Sequence, residues 1–181
     1  DAAVMRTVRA GNMSTLNCPE EVHLAERLVQ LHPWADMVKF ARSGGEASAI
    51  SIRIARAVTG RDHVAICGYH GWHDWYLSAN LNNAKNLDSH LLPDLEPAGV
   101  PSALSGLVHP FEYNNFEQLS EIVRSVEIGV IKMEVERNIP PEEDFLKKVQ
   151  NLANRKGIVL IFDECSSGFR ETFGGLHKKY G

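Results

Sequence analysis

Ile158-Val159-Leu160-Ile161-Phe162-Asp163 is the stretch of this sequence that decides the fold. An unbroken apolar run of this length is typical of a strand that is buried on both faces of a parallel sheet. Asp163 follows at the end of the strand, where an ionised carboxylate is costly unless a positive or hydrogen-bonding group compensates it. A metal ion, an internal arginine such as Arg170, or the protonated heterocycle of a bound ligand would each meet that need.

The chain before this strand alternates between helical and strand-like patterns. Amphipathic periodicity and helix-end residues predict helices at 20–31, 46–58, 115–126 and 141–154. Short apolar runs predict strands at 37–40, 63–67 and 129–134, and 78–101 is predicted as a long loop with room for one helical turn. The alternation predicts an α/β fold, with a mainly parallel sheet and helices on both faces. No linker or repeat divides residues 1–181, which we interpret as a single domain.

The composition narrows the class of function. A chain of 181 residues that is 44% hydrophobic can bury a sizeable core, and its net charge of -4 offers no basic surface for nucleic acid. The apolar run at 158–162 is too short to span a bilayer, so we expect neither a nucleic-acid nor a membrane partner. Three separated cysteines, without a CxxC pair, favour a reducing, cytoplasmic compartment over a disulfide framework or a structural zinc site.

Ligands of open parallel sheets bind beyond the carboxyl ends of the strands, which here are the segments after residues 40, 67 and 162. Ser43-Gly44-Gly45 follows the first of these predicted strands. Its glycines allow the backbone to approach a ligand closely, and the next helix presents free N–H groups that suit a phosphate. A tight turn that uses the glycines only for their conformation would give the same pattern.

Gly68-Tyr-His-Gly-Trp-His-Asp74 follows the second strand. Its aromatic residues suit a flat ligand stacked on a ring, although aromatic packing beneath a loop has the same composition. His70, His73 and Asp74 could also be metal ligands, but two histidines and one carboxylate at this spacing make a poor site, and we predict no metal. A phosphate turn, a stacking aromatic and a buried carboxylate together fit pyridoxal 5'-phosphate, which has an anionic phosphate, a flat ring and a pyridinium nitrogen.

Several ordered motifs carry a family resemblance that runs from about residue 3 to residue 181. They are Phe40-Ala-Arg-Ser-Gly-Gly-Glu-Ala47 leading into Ala49-Ile-Ser-Ile-Arg-Ile-Ala-Arg56, Gly68-Tyr-His-Gly-Trp-His-Asp74, Met133-Glu134, and Leu160-Ile-Phe-Asp-Glu-Cys-Ser-Ser-Gly-Phe-Arg170. The sequence resembles the class III (fold type I) pyridoxal-phosphate aminotransferases, most of all the glutamate-1-semialdehyde aminomutase-like branch. The resemblance implies the large, cofactor-binding domain of that fold and the transfer of an amino group through a pyridoxamine intermediate.

The resemblance also implies roles for individual residues. The cofactor phosphate would be held by the turn Ser43, Gly44 and Gly45. Tyr69 would stack on one face of the ring, Cys165 would contact the other face, and Asp163 would pair with the ring nitrogen and keep it protonated. His70 and Glu134 complete the expected set of cofactor-binding residues.

Departures from the family pattern accompany these matches. Gly45 replaces a usual Ser or Thr, Cys165 replaces an aliphatic residue, and Val135 stands where Pro is common. The family's Schiff-base lysine would lie beyond Gly181, and Lys178 and Lys179 do not match it. We therefore expect a partial large domain, truncated at both ends, that lacks the N-terminal segment and the C-terminal small domain and is inactive as it stands.

Other interpretations remain open at this point. The chain could bind phosphate or the cofactor without catalysis, or it could be a nicotinamide-dependent oxidoreductase, although it has no three-glycine fingerprint. A metal hydrolase that uses His70, His73 and Asp74 is a further alternative. For an aminotransferase the partners would be small-molecule amino donors and acceptors, together with a second copy of the chain in a homodimer.

Overall fold

Four strands form one parallel sheet within the residues that this computed structural model describes, which are 1–11, 17–136, 138–142 and 144–181. The strands are β1 (His63–Cys67), β2 (Val108–Pro110), β3 (Ile128–Glu134) and β4 (Val159–Asp163), and their order is β2-β1-β3-β4. Each pairing is parallel, so the predicted parallel sheet is confirmed. The winding direction reverses between β1 and β3, which is where sheets of this kind bind their ligands.

Helices cover both faces of the sheet. Alternate strand residues enter two separate cores, because successive side chains of a strand point to opposite faces. One core combines strand residues with α3 (Gly44–Thr59), and it includes Ile52, Ala55, Val64, Ile66 and Val130. The other combines the alternate strand residues with α5 (Phe116–Ser125) and α6 (Phe145–Lys156), and it includes Ala65, Leu119, Ile131, Met133, Phe145 and Val149. The predicted α/β class with helices on both faces is thus confirmed.

Helix α3 begins and ends at residues that suit those positions. The Ser43 Oγ atom accepts a hydrogen bond from the Glu46 N–H at 3.2 Å, which is an N-cap. Gly60 ends the helix in the left-handed region, with φ +66°, and donates its N–H to the Arg56 carbonyl. These signals place the amino-terminal turn of α3 at the Ser43-Gly44-Gly45 motif.

The loop between β1 and β2 is long, as the sequence predicts. It contains the short helix α4 (Asp74–Leu77) and 3-10 turns at Ser78–Asn80 and Ser102–Leu104. The buried Asn80 side chain donates to the Leu95 carbonyl and accepts from the Leu87 N–H, so one amide ties distant parts of the loop together. The loop is therefore ordered by polar contacts rather than by periodic structure.

Some element boundaries differ from the prediction. The strand predicted at 37–40 is not formed, because no described strand pairs with this segment. Met37 is 87% exposed. Helix α6 begins at Phe145 rather than at 141, since Asp144 is in the left-handed region with φ +61° and interrupts a helical path. Residue 143 lies outside the described residues.

Strand β4 is shifted and less buried than predicted. It spans Val159–Asp163 and so includes Asp163 itself, and all of its residues are only partly buried. Its outer edge pairs with no strand in the described part of the chain. The fully buried strand is β3, which lies between β1 and β4.

The chain divides into two compact units, Asp1–Lys39 and Phe40–Gly181, and the sheet belongs to the second. The first contains α1 (Ala2–Ala10) and α2 (Pro19–Leu31), which confirms the helix predicted at 20–31. The second ends with the short helix α7 (His177–Tyr180). Among the described residues, no helix is long and apolar enough to cross a membrane.

Candidate functional site

Asp163 lies at the carboxyl end of β4 and has an internal partner on each of its oxygens. The His70 Nδ1 atom donates to Oδ2 at 2.9 Å, and the Lys132 ammonium lies 3.4 Å from the same oxygen. The Cys165 N–H donates to Oδ1 at 3.0 Å. The Asp163 side chain is only 12% exposed, and those of Lys132 and His70 are 4% and 0% exposed. The buried carboxylate is therefore compensated from within the protein.

The parallel register brings these groups together. Glu134 is paired with Asp163, and Lys132 with Ile161, so Lys132 sits one step below Asp163 on the neighbouring strand. Register partners point to the same face of a sheet, and so do residues two apart on one strand. Lys132 is two residues from Glu134, the partner of Asp163, so Lys132 and Asp163 point to the same face. His70 reaches the same point from the loop after β1, and its Nε2 atom lies 3.1 Å from the Cys67 carbonyl oxygen.

The partners of Asp163 decide its charge. Burial acts to raise the pKa of Asp163, but the hydrogen bond from His70, the charge of Lys132 and the N–H of Cys165 together hold that pKa well below its ordinary value. Burial lowers the pKa of Lys132, and Asp163 opposes that shift. Burial also lowers the pKa of His70, where Asp163 opposes the shift and Lys132 reinforces it. Asp163 is consequently an anion at neutral pH.

Lys132 is not among the site residues that the sequence predicts. Arg170 was one suggested partner for Asp163, but that suggestion is wrong, because the Arg170 Nε atom donates to the Ser166 carbonyl at 2.9 Å and the described ion pairs of Asp163 are with His70 and Lys132. The signal in the sequence was a lysine inside the otherwise apolar run Val130-Ile131-Lys132-Met133. A charged residue in a buried strand requires a partner.

The glycine turn of α3 packs directly against the other two predicted segments. A Cβ atom on Gly44 would lie 3.2 Å from the Cys165 Sγ atom, and one on Gly45 would lie 2.9 Å from Cδ2 of the His73 ring. A Cβ atom on Gly71 would lie 3.0 Å from the Gly45 Cα atom. The structure thus brings together segments 43–45, 68–74 and 163–165, although 37–40 is not a strand.

The departure at Gly45 has a structural explanation. The Nε2 atom of His73 lies 3.0 Å from the position that a Cβ atom would take, so the imidazole occupies the space of a Ser or Thr side chain. The N–H groups of Gly44 and Gly45 donate no hydrogen bond within the described part of the chain, whereas that of Glu46 is used by the Ser43 cap. Free N–H groups at the start of a helix suit an anion.

Tyr69 and Glu134 lie near this cluster. Tyr69 contacts the ring of Tyr76 edge to face at a centroid distance of 5.7 Å, and Tyr76 donates its hydroxyl to the Gly68 carbonyl. Glu134 is buried, and a Cβ atom on Gly68 would lie 2.7 Å from its Oε2 atom. Gly68 has φ +109°, a conformation that favours glycine, so the β1 strand ends in a turn that closely approaches Glu134.

Glu164, the residue after Asp163, holds the segment that follows. Its carboxylate accepts hydrogen bonds from the N–H groups of Leu176 and His177 and from the His177 ring. Burial acts to raise the pKa of Glu164, but these hydrogen bonds outweigh burial and lower that pKa. Glu164 therefore closes a loop between residues 164 and 177 while it remains ionised.

The lowered pKa of Glu164 predicts a pH-dependent contribution to stability. Because the folded-state pKa lies below the ordinary value of 4.5, the contribution is complete above that value and is lost as the pH falls through the folded-state pKa. We expect the difference in unfolding free energy between the wild type and Glu164→Gln to shrink as the pH falls below about 4.5. Urea unfolding at a series of pH values measures it, and a difference that grows on acidification would contradict this assignment.

Two other features do not coincide with the predicted site. A surface depression of about 700 Å³ lies along β2 and α5, and its lining includes His90, His109 and Glu112 but none of the predicted cofactor residues. No group of three His, Cys, Asp or Glu residues in the described part of the chain is arranged to hold a metal ion. His70, His73 and Asp74 thus do not form such a group.

The comparison with known families decides the identity of the fold. The model of the family "Aminotransferase class-III" matches residues 2–176, which is nearly the whole chain. The chain belongs to the class-III aminotransferase family. The α/β sheet and the motifs that carry the resemblance are accordingly those of a class-III aminotransferase.

Individual relatives of this class-III chain agree with the match. It is 30% identical over 192 residues to 3-aminobutyryl-CoA aminotransferase of Cloacimonas acidaminovorans, with 100% of this chain and 42% of the relative covered. It is 33% identical over 167 residues to glutamate-1-semialdehyde 2,1-aminomutase of Archaeoglobus fulgidus, with 89% and 39% covered. A solved structure described as a transaminase with PLP bound superposes with TM-score 0.81 at 25% identity, covering 99% of this chain and 43% of that one.

The chain spans about two fifths of the length of these relatives, as the covered shares of 42% and 39% show. The matched part contains the glycine turn, the aromatic loop and Asp163. The activity and substrates of the relatives therefore apply to this chain only as a proposal.

Proposed function

We propose that this chain is the cofactor-binding core of a pyridoxal-phosphate-dependent aminotransferase or aminomutase, which moves an amino group between small-molecule donors and acceptors. One observation carries the proposal: the glycine turn Ser43-Gly44-Gly45 lies next to the segment that contains the buried, ionised Asp163. Gly44 is close to Cys165, two residues after Asp163, and Gly45 is close to His73 in the loop after β1. The family match supports the same function. It does not favour the nicotinamide alternative.

The residues of the site fit the chemical parts of this cofactor. The free N–H groups of Gly44 and Gly45, at the start of the 16-residue helix α3, suit an anionic phosphate. The Asp163 carboxylate, kept ionised by its partners, suits a protonated ring nitrogen. Tyr69 and Cys165 would contact the two faces of the ring, and the position of Cys165 beside Gly44 agrees with this assignment.

The chain's own residues would bind and orient the cofactor. When bound, pyridoxal phosphate supplies an electron sink that stabilises negative charge at the amino-bearing carbon of the substrate. Asp163 would hold a proton on the ring nitrogen, and His70 would fix the Asp163 carboxylate through its 2.9 Å hydrogen bond. The glycine turn would anchor the phosphate, which sets the position of the ring relative to Asp163.

Titration of the chain with pyridoxamine 5'-phosphate tests the proposal, because this form of the cofactor needs no covalent attachment. Isothermal calorimetry should show saturable binding, and Asp163→Asn should weaken it by about 10- to 100-fold, the range expected for one lost charge-assisted hydrogen bond. The control Asp62→Asn should bind normally, because Asp62 is exposed and precedes β1 at the opposite end of the sheet. Absence of binding by the wild type would contradict the proposal, and binding of NADH instead would favour the nicotinamide alternative.

Gly71→Ala is expected to weaken the binding of pyridoxamine 5'-phosphate more than Gly99→Ala does. Gly71 and Gly99 both have positive φ, +98° and +89°, so alanine at either position is strained by about 1–3 kcal/mol. Only at Gly71 would the new Cβ atom press on the backbone of the glycine turn, 3.0 Å from the Gly45 Cα atom, whereas nothing lies within 4 Å of one on Gly99. Gly71→Ala should weaken pyridoxamine 5'-phosphate binding at least about tenfold.

The control Gly99→Ala should lose stability but bind pyridoxamine 5'-phosphate normally. Urea unfolding and calorimetry on the same samples separate the two effects. Equal affinities of Gly71→Ala and Gly99→Ala would show that the contact between Gly71 and Gly45 does not shape the phosphate site.

We further propose that the chain forms a homodimer. The side chains of Trp72, Phe169 and Phe173 are 72%, 52% and 67% exposed, and large exposed apolar residues of this kind are typical of interaction surfaces. Sedimentation equilibrium should give twice the chain mass of 20.1 kDa. A monomer at the concentrations of the binding experiments would contradict this part of the proposal.

A further inference from the structure

Lys132 occupies a position that an apolar residue would ordinarily fill. All the residues of β3 are buried, and Lys132 lies between Ile131 and Met133 with a side chain that is 4% exposed. Placing an ammonium group there is costly unless a specific partner compensates it. The described ion pair of Lys132 is with Asp163, the residue that the proposed function assigns to the ring nitrogen.

Lys132 and His70 converge on one oxygen of the carboxylate. Both contact Oδ2, at 3.4 Å and 2.9 Å, while Oδ1 accepts the Cys165 N–H. Lys132 is on β3 and His70 is on the loop after β1, so two separate elements deliver potential cations to the same atom. A carboxylate that already has one internal cation attracts a second cation less strongly.

We propose that Lys132 is a positioning residue that acts as the internal counter-ion of Asp163 and limits how strongly Asp163 can hold a further positive charge, on His70 or on the ring nitrogen of a bound cofactor. The part that concerns the cofactor rests on the proposed function, whereas the part that concerns His70 does not. The consequence is a ring nitrogen that releases its proton more readily than it would beside an uncompensated aspartate.

The other ionisable groups around this cluster come from the loop after β1, from β3 and from the segment after β4. The Asp163 carboxylate and the Lys132 ammonium face each other across β4 and β3. His70 interacts with both of them, Glu134 and Cys165 act on Lys132, and His90 interacts with His70. None of these neighbours is a lysine or arginine, whereas Lys132 contacts Asp163 directly from β3. A test must therefore change the charge of Lys132 alone.

The first test follows the ring nitrogen of bound pyridoxamine 5'-phosphate, labelled with ¹⁵N, by NMR as a function of pH. Lys132→Met should raise the pH at which the ring nitrogen loses its proton by about one to two units, the size expected for loss of a unit charge a few ångströms away in a partly buried site. Lys132→Arg, which keeps the charge, should stay close to the wild type. The control Lys147→Met removes an exposed lysine of α6 and should change nothing.

The second test needs no cofactor and follows the His70 imidazole by NMR in the ligand-free chain. Lys132→Met should raise the pH midpoint of His70, because the repulsion from Lys132 is gone while the attraction of Asp163 remains. A charge-keeping Lys132→Arg chain should titrate like the wild type, a result that a merely space-filling role for Lys132 would not produce. If Lys132→Met does not fold, Lys132→Gln removes the same charge with a polar side chain and serves in both tests.

The outcomes separate this inference from the proposed function. If pyridoxamine 5'-phosphate fails to bind the wild type, the cofactor assignment is wrong, and the His70 midpoint still decides the role of Lys132. If the ligand binds and the midpoints of both the ring nitrogen and His70 are the same in the wild type and in Lys132→Met, Lys132 is not the counter-ion. A rise in both midpoints, absent in Lys132→Arg, establishes the inference.

Discussion

Asp163→Ala is expected to lower the free energy of unfolding by about 3–5 kcal/mol, the cost of leaving one member of a buried ion pair without its partner. The Lys132 ammonium would remain in the interior without the ion pair that it makes with Asp163, and the His70 Nδ1 hydrogen bond would be lost as well. Equilibrium urea unfolding at pH 7 measures the loss. The deficit should shrink at alkaline pH, because burial lowers the pKa of Lys132 and the folded variant can release that proton.

The double variant Asp163→Ala/Lys132→Met separates an ion-pair effect from a packing effect. It should recover most of the stability that Asp163→Ala loses, since replacing both members of a buried pair by apolar groups is often neutral. Lys132→Met alone should cost less than Asp163→Ala, because Asp163 keeps the donors His70 and Cys165. A double variant that is as unstable as Asp163→Ala would show that the pair does not account for the loss.

Phe145→Ala is expected to lower the free energy of unfolding by about 3–5 kcal/mol, because it opens a large cavity in the core between the sheet and helices α5 and α6. Phe145 is 2% exposed at the start of α6, and its ring contacts that of Tyr113 edge to face at 5.2 Å. It belongs to the core that includes Ile131 and Met133 of β3, the strand that carries Lys132. Urea unfolding measures the change.

Val58→Ala is the exposed control for this variant. Val58 lies on α3 and is 73% exposed, so its truncation should change the stability by less than about 0.5 kcal/mol. At low denaturant concentration, Phe145→Ala should keep its affinity for pyridoxamine 5'-phosphate, because its side chain packs on the face of the sheet opposite to that of Lys132 and Asp163. Equal losses for Phe145→Ala and Val58→Ala would contradict the assignment of Phe145 to the core.

Sequence patterns predicted those parts of the fold that depend on local periodicity. The strand 63–67 is reproduced residue for residue, and helix α3 agrees with 46–58 to within two residues at each end, because Ser43 and Gly60 mark its ends. The patterns did not predict β2, whose three residues include Pro110 and are too short to show periodicity. They were wrong at 37–40, because a short apolar run forms a strand only when another strand pairs with it.

Part of the candidate site could be predicted in the same way. Gly44, Gly45, Tyr69 and Asp163 were identified from strand ends and motifs, and their segments do meet in the structure. The partner of Asp163 was not identified, since Arg170 is close in the sequence and Lys132 is remote from it. His73 was considered only as a metal ligand, whereas its ring explains why residue 45 is glycine.

The sequence by itself determined the α/β alternation, the family and the placement of an acidic residue at the end of an apolar strand, because each of these depends on residues that are near neighbours along the chain. Only the tertiary structure decided which residues contact Asp163. The parallel register of β3 and β4 places Lys132 beside Asp163, and the turn after β1 brings His70 to the same oxygen. Such contacts depend on how separate strands align, so the charge state of Asp163 could be assigned only after the sheet was assembled.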